Sequence, residues 1–358
     1  MVGVSQFALA ALSLSIPVSA RRRLCAPSSA SYVAPTSANL LSTAYSTATS
    51  TPEDNATATS ALAQEAATGT SSVAGVFKPG VTWDICIHYP IKHDTVDDII
   101  PKAAKVWDID LGHAHDYPTL IPTLKKAGKF VICYFNAGAR QTWDSDVDQF
   151  PAEVIGKSLS YPYEDEEAYV DIRDARVLDI MKARLDGAVA VGCDAVDPDN
   201  VDAWAQGGED ATGFNLKSSD YVTYLKNLAA YAHSIKTEEG NPLLVGQKNA
   251  PEIAEQLSST LDFAVLEECR GTPDGGEPFC SDFQTYIEKD KPVLQIEYPP
   301  SVSESSGTLS SSDEKFYCNA EDDDKGFSKI LKWASAQLDG WGQYCGGESF
   351  KTPEAEDE

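Results

Sequence analysis

The sequence predicts a (β/α)₈ barrel, the TIM-barrel architecture, on three observations. From Val76 onward short β-rich runs alternate with helical patterns. Eight such runs fit within about 260 residues, the length that one barrel needs. No Gly-rich phosphate loop follows the first run, which disfavours the runner-up, an open doubly wound sheet. Strands separated by helices join through right-handed βαβ units into a parallel sheet.

The runs follow in order. "TWDICIHYP" (82–90) reads as the first strand and "KVWDIDL" (105–111) as the second, followed by the helical "YPTLIPTLKKAGK". "KFVICYFNAGA" (129–139) is the third and "AYVDIRD" (168–174) the fourth. After it, Val177, Ile180, Met181, Arg184 and Leu185 recur at helical spacing. "GCDAVDPDN" (192–200) is the fifth strand, with Pro198 read as its end. A helix over 219–240 follows, with Ser218 or Ser219 as cap and Gly240 as stop. "PLLVGQKN" (242–249), "LDFAVLEEC" (261–269) and "KPVLQIEYP" (291–299) are strands six to eight, and a helix over about 324–339 closes the pattern.

Residues 1–20 read as a signal peptide, an apolar run ending in the small residues Val18-Ser19-Ala20. Residues 21–75 are rich in Ser, Thr and Ala and nearly free of large apolar residues. Such a segment cannot bury enough surface to offset its ordering entropy, so it reads as a disordered, O-glycosylated linker. It contains the sequon Asn55-Ala-Thr57, an expected N-glycosylation site. The folded domain is expected over 76–346 and a disordered acidic tail over 347–358. No later stretch is long and apolar enough for a membrane anchor.

Secretion makes disulfides possible. Of the eight cysteines, Cys269 and Cys280 flank a Gly/Pro-rich loop that a bridge would tie down, and Cys318 and Cys345 flank the last helical region. Spacing does not fix connectivity. Cys86, Cys133 and Cys193 lie in apolar runs and read as buried free thiols, facing inward in one barrel layer; Cys25 lies in the leader.

The net charge of −27 belongs to the part after residue 75, because Arg21, Arg22 and Arg23 cancel Glu53, Asp54 and Glu65. That field repels nucleic acid and anionic membranes and attracts cations and cationic polymers. Solubility in an acidic medium explains it equally simply. A monomer is expected.

A barrel gathers its functional residues at the C-terminal ends of its strands. Polar residues stand there in nearly every run: Asp108 and Asp110, Tyr134 and Asn136, Asp171 and Arg173, Asp197, Asp199 and Asn200, Lys248 and Asn249, Glu267 and Glu268, Glu297 and Tyr298. Any one could be a turn residue or helix cap, the better reading for Asp174 and Asp202. Together they form a polar rim suited to a carbohydrate or another small molecule. There is no Gly-x-Ser-x-Gly elbow and no HExxH, and "DPDNVD" fails the calcium-loop spacing at Val201 and Asp202. His113 and His115 read as loop residues, and no metal or cofactor is expected. What remains is an excess of carboxylates. A protonated acid and an ionised base or nucleophile flanking a glycosidic bond are the equipment of a glycoside hydrolase.

The blocks "CYFNAGARQTW", "YVDIRDARVLDIMKARLDGAVAVGCDAVDPDNVDAW", "GQKNAPE", "DFAVLEEC" and "VLQIEY" resemble, in order, those of glycoside hydrolase family 114, over roughly 82–300. That resemblance implies a barrel that cleaves α-1,4-linked galactosamine polymers without metal or cofactor, with a cationic polysaccharide as its partner. It implies Asp199 and Glu267 as the catalytic pair. The other rim residues, Asp108, Asp110, Tyr134, Asn136, Asp171, Arg173, Asp197, Asn200, Lys248, Asn249, Glu268, Glu297 and Tyr298, are then the candidates for substrate binding. The sequence departs from the family's "EPDN" at Asp197, and from its "NEQC" at Leu266 and Glu268. Leu266 stands in place of an amide that could reach substrate, which leaves open a glycosidase for another α-linked sugar. A non-catalytic wall-binding protein on the same barrel is the reading from a different class.

Overall fold

The computed structural model describes residues 75–355 except 161, 162, 165, 274, 320 and 321. All of them belong to the unit Ala67–Glu358. The signal segment, the linker up to residue 74, Asn55 and Cys25 lie outside the described residues.

Three parallel strands open the sheet: β1 (Trp83–Cys86), β2 (Val106–Asp110) and β3 (Phe130–Asn136). The chain then leaves it for a small antiparallel sheet in the order β4 (Ala139–Gln141), β6 (Glu167–Val170), β5 (Ile155–Ser158). It returns through β7 (Ala195–Asp199), β8 (Leu244–Lys248), β9 (Phe263–Glu267), β10 (Val293–Glu297) and β11 (Ser328–Leu331), each parallel to the strand before it in the sheet. β12 (Trp341–Gln343) and β13 (Ser349–Lys351) extend the far edge antiparallel. Helices α1 (Leu111–Asp116) and α2 (Leu120–Lys126) follow β2, and α3 (Ala175–Val191) precedes β7. α4 (Glu209–Thr212) and α5 (Ser218–Ser234) follow β7, and α6 (Ala254–Leu257), α7 (Gln284–Ile287) and α8 (Ser311–Cys318) fill the later crossovers.

The eight parallel strands make a TIM-barrel-like wall. Its two ends, β1 and β11, meet through side chains instead of a ladder. Trp83 Nε1 donates to the Ser328 carbonyl at 2.7 Å, and Lys332 Nζ pairs with Asp84 at 2.7 Å, both groups fully buried. Burial pushes the Asp84 carboxyl up to about 6 against the pull of Lys332.

Side chains alternate across the wall with the strand period of two. Trp83, Ile85, Val106, Phe130, Ile132, Ala195, Phe263, Val265, Leu294, Ile296 and Ile330 pack as one cluster inside the barrel. Trp107, Val131, Val196, Val245, Ala264 and Val293 face the other way, into the layer that also holds the buried residues of α3 and α5. Gly246 completes the interior fit, because a Cβ there would sit 2.7 Å from the Phe263 ring. α3 buries Val177, Ile180, Met181, Arg184 and Leu185, the face its periodicity predicts, starts at the Asp174 cap and stops at Gly192 in the left-handed region. Burying each such apolar side chain contributes about 1.5–3 kcal/mol.

Five sequence expectations change. The run "AYVDIRD" is not a barrel strand; its ordered part, β6, pairs antiparallel with β4 and β5. The eighth wall strand is β11, inside the segment expected to be helical. Phe327, Ile330, Leu331, Ala334 and Leu338 recur at helix-like intervals, but Leu294–Glu297 of β10 offer Ser328–Leu331 a parallel ladder, and that pairing prevails over local pattern. Cys133 and Cys193 are not free thiols. They form a disulfide with Cα atoms 6.0 Å apart, joining β3 to the approach to β7 on the outer face of the wall. The helix expected over 219–240 starts after Lys217, whose N–H donates to Asp220, and ends at Ser234, ahead of Gly240. The segment 347–355 is not a loose tail: β13 pairs with β12, Ile91 bridges Glu354, and the Phe350 ring packs on Tyr344. Cys269–Cys280 and Cys318–Cys345 are bridged, and Cys86 is buried and free.

Candidate active site

Five consecutive wall strands deliver inward-facing polar side chains at or near their C-terminal ends. The register sets Asp110 beside Tyr134, Tyr134 beside Asp197, and Asn136 beside Asp199. Asp108, Tyr134, Asn136, Asp197, Asp199, Lys248 and Glu267 share the parity of the interior cluster, as does Tyr298 just past β10.

The turns after β7, β8 and β9 are built alike. Asn200, Asn249 with Ala250, and Glu268 all have positive φ, at 57°, 40°, 60° and 54°. Asparagine tolerates that region; alanine and glutamate adopt it at a cost that the surrounding structure must hold. Pro198 does not end its strand. It sits within β7 as the partner of Phe135, and Asn200 makes the turn. The loop after β3 closes on that turn: Ala137 N–H and Gly138 N–H both donate to the Asp199 carbonyl. A Cβ on Gly138 would lie 1.7 Å from the Asn200 carbonyl oxygen, so only glycine fits.

The charges form two levels. The lower is sealed: Asp108, Asp197 and Lys248 are at most 2% exposed. Lys248 Nζ lies 3.3 Å from Asp197 and 3.5 Å from Glu267, and stands over the Tyr134 ring. Burial alone would depress this amine. Asp197, Glu267, Asp199 and Asp108 outweigh it and hold its pKa well above the ordinary lysine value. Burial raises Asp197 to about 6 despite Lys248, with Asp199 adding to the rise. Asp108 is pushed well above the carboxylate range by burial and by Asp197.

The upper level holds Asp199 and Glu267, both half-buried. Tyr134 OH donates to Asp199 at 2.7 Å, and Tyr298 OH donates to Glu267. Burial and the adjoining carboxylate lift both phenols well above their ordinary pKa, so each stays a hydrogen-bond donor. The Asn249 side chain accepts from the Glu267 N–H at 2.9 Å and fixes the end of β9. Two accessible carboxylates, each steered by a phenol above a buried lysine, can act on opposite sides of a glycosidic bond.

Other candidates are placed elsewhere. Glu297 has the opposite parity to Leu294 and Ile296. It faces outward, accepting from Gln295 Nε2 at 2.7 Å and from the Arg270 N–H, beside the Arg270–Asp324–Lys329 ion group. Burial raises it to about 7. Asp171 and Arg173 sit past β6 and pair with each other through two 2.7 Å contacts. Asp110 caps α1, accepting from the His113 N–H. Leu266 is buried in the outer layer, away from the mouth. Glu268 is exposed on the rim after β9, and Asn200 is half-buried in the corresponding turn after β7. Glu167 was missed. It reaches from β6 to accept from Asn136 Nδ2 at 3.0 Å and Gln141 Nε2 at 3.1 Å, and burial, with Asp199 adding, raises it to about 7. Reading the fourth run as a barrel strand beginning at Ala168 left this glutamate one residue outside it.

The family described as Glycoside-hydrolase family GH114 matches residues 62–350. The chain belongs to glycoside hydrolase family 114. This family 114 chain is a glycoside hydrolase of the polygalactosaminidase type. A crystal structure of Aspergillus fumigatus Ega3 in complex with galactosamine is similar at 30% identity and a TM-score of 0.62, over 75% of this chain and 96% of that one. The glycoside hydrolase domain of PelA from Pseudomonas aeruginosa shares the fold at 13% identity and a TM-score of 0.52, over 73% of this chain and 97% of that one. No curated protein matches.

Proposed function

We propose that the chain is a secreted endo-glycosidase that hydrolyses α-1,4-linked galactosamine polymers, such as deacetylated galactosaminogalactan. Glu267 donates a proton to the leaving oxygen, and Asp199 acts as nucleophile or as base for water. One observation carries the assignment. Of the three inward carboxylates of β7 and β9, Asp197 is sealed at 0% exposure against Lys248, whereas Asp199 and Glu267 are accessible. Substrate can reach only the latter two.

The substrate class rests on family membership and on the likeness to a protein crystallised with galactosamine. The net charge of −27 fits a polymer that is cationic when deacetylated. Three disulfides among the described residues and the signal-like segment at 1–20 support secretion. Among the described residues no helix is long and apolar enough to cross a membrane.

Incubation with deacetylated polygalactosamine tests the reading. Release of oligomers by the wild type, and its loss in Asp199→Asn and Glu267→Gln with unchanged melting temperature, is the expected result. Co-sedimentation without release would instead identify a carbohydrate-binding protein.

A further inference from the structure

Four of the buried carboxylates in this fold are matched by a cation: Asp84 by Lys332, Asp197 by Lys248, Asp194 by Lys125, and Asp324 by Arg270 and Lys329. Glu268 is different. It stands on the rim directly after Glu267, exposed, with no ion pair to a described residue. Its backbone is held in place: its N–H donates to the Ile296 carbonyl at 2.9 Å, its carbonyl accepts from Gly271 N–H at 2.8 Å, and the next residue enters the Cys269–Cys280 bridge. The left-handed φ of 54° turns the chain at this point, directly after the Glu267 carboxylate that Tyr298 OH holds. A strained, fixed turn therefore keeps an unneutralised carboxylate beside the proton donor.

We propose that Glu268 is a specificity-determining residue that pairs with the ammonium of the sugar on the leaving-group side of the scissile bond. The proposal rests on the galactosaminidase reading above and deepens it. In that reading the leaving oxygen lies against Glu267, and the left-handed turn at Glu268 keeps its exposed carboxylate on the same rim, within reach of the sugar that carries that oxygen. A free 2-amino group there is a cation and gains a charge-assisted contact; an N-acetyl group is neutral and bulkier and gains none.

The test compares wild type and Glu268→Gln on fully deacetylated and on partly N-acetylated polygalactosamine, with melting temperature as the fold check. For the deacetylated polymer KM rises about fivefold to tenfold with little change in kcat. The acetylated polymer is affected less. The difference shrinks at about 1 M salt, where the screening length falls to about 3 Å. Glu268→Asp, which keeps the charge, retains the wild-type preference. Equal loss on both polymers, a loss confined to kcat, or no change overturns the proposal. A wild type that binds both polymers without cutting them removes the glycosidase reading instead, and the ratio of its binding constants to those of Glu268→Gln still reports on Glu268.

Discussion

Glu267 and Glu297 close neighbouring strands, and in the sequence they look alike. Each is the last residue of a β-rich run and stands before a second rim candidate, Glu268 or Tyr298. The barrel wall separates them. Glu267 shares the inward parity of Phe263 and Val265, stays accessible, and meets Lys248 and Tyr298. Glu297 has outward parity, is fully buried, and joins Gln295 and the Arg270 backbone. A strand that places one side chain in the mouth places the next among the helices. On the proposed function, chemistry falls to the inner face of the wall and cohesion to the outer one.

Variants on either face probe this division. The largest effect is expected from Asp199→Asn and Glu267→Gln, each lowering kcat at least about a thousandfold with the melting temperature unchanged. Lys248→Met should blur the division, because this inner residue is also a buried partner. It leaves Asp197 uncompensated, costs about 3–5 kcal/mol by denaturant titration, and abolishes activity as well. The outer face is probed by Cys133→Ala with Cys193→Ala. Opening a loop of sequence separation 60 costs about 4 kcal/mol on the chain-entropy account, while kcat at low temperature stays near wild type.

The smallest effect is in pH. Folding raises Asp84, Asp110, Asp197 and Asp202 to about 6, and Glu167 and Glu297 to about 7, burial being the first cause in each. Between about pH 4, where these groups ionise in the unfolded chain, and those folded values, the native state holds more protons. Stability therefore falls as pH rises across that window. His113, depressed to about 4 by burial, opposes this up to its unfolded value, one group against six. The melting temperature should be a few degrees higher at pH 5 than at pH 7.5. Glu297→Gln should flatten that slope without touching turnover; an unchanged slope would remove Glu297 from the account.

The sequence carried the barrel because its apolar runs are short, β-rich and separated mostly by helical stretches, and seven of the eight wall strands lie where those runs stand. It misplaced β11, whose apolar residues recur at helix-like intervals. It also mistook β6, whose alternation says strand but not which sheet. The rim was legible as a set of residue types at strand ends. Which of them face the mouth was not, since parity depends on the registers that set Tyr134 beside Asp197 and Ile296 beside Glu267. Local spacing also could not show that Cys133 and Cys193 meet, because only the β3–β7 pairing brings them together.

The most direct test of the two-faced wall assays Glu267→Gln and Glu297→Gln side by side, for oligomer release from deacetylated polygalactosamine and for melting temperature. The account predicts a loss of at least about a thousandfold for Glu267→Gln and activity within about threefold of wild type for Glu297→Gln, both folded. Comparable losses in the two variants, or near-normal turnover by Glu267→Gln, would contradict it.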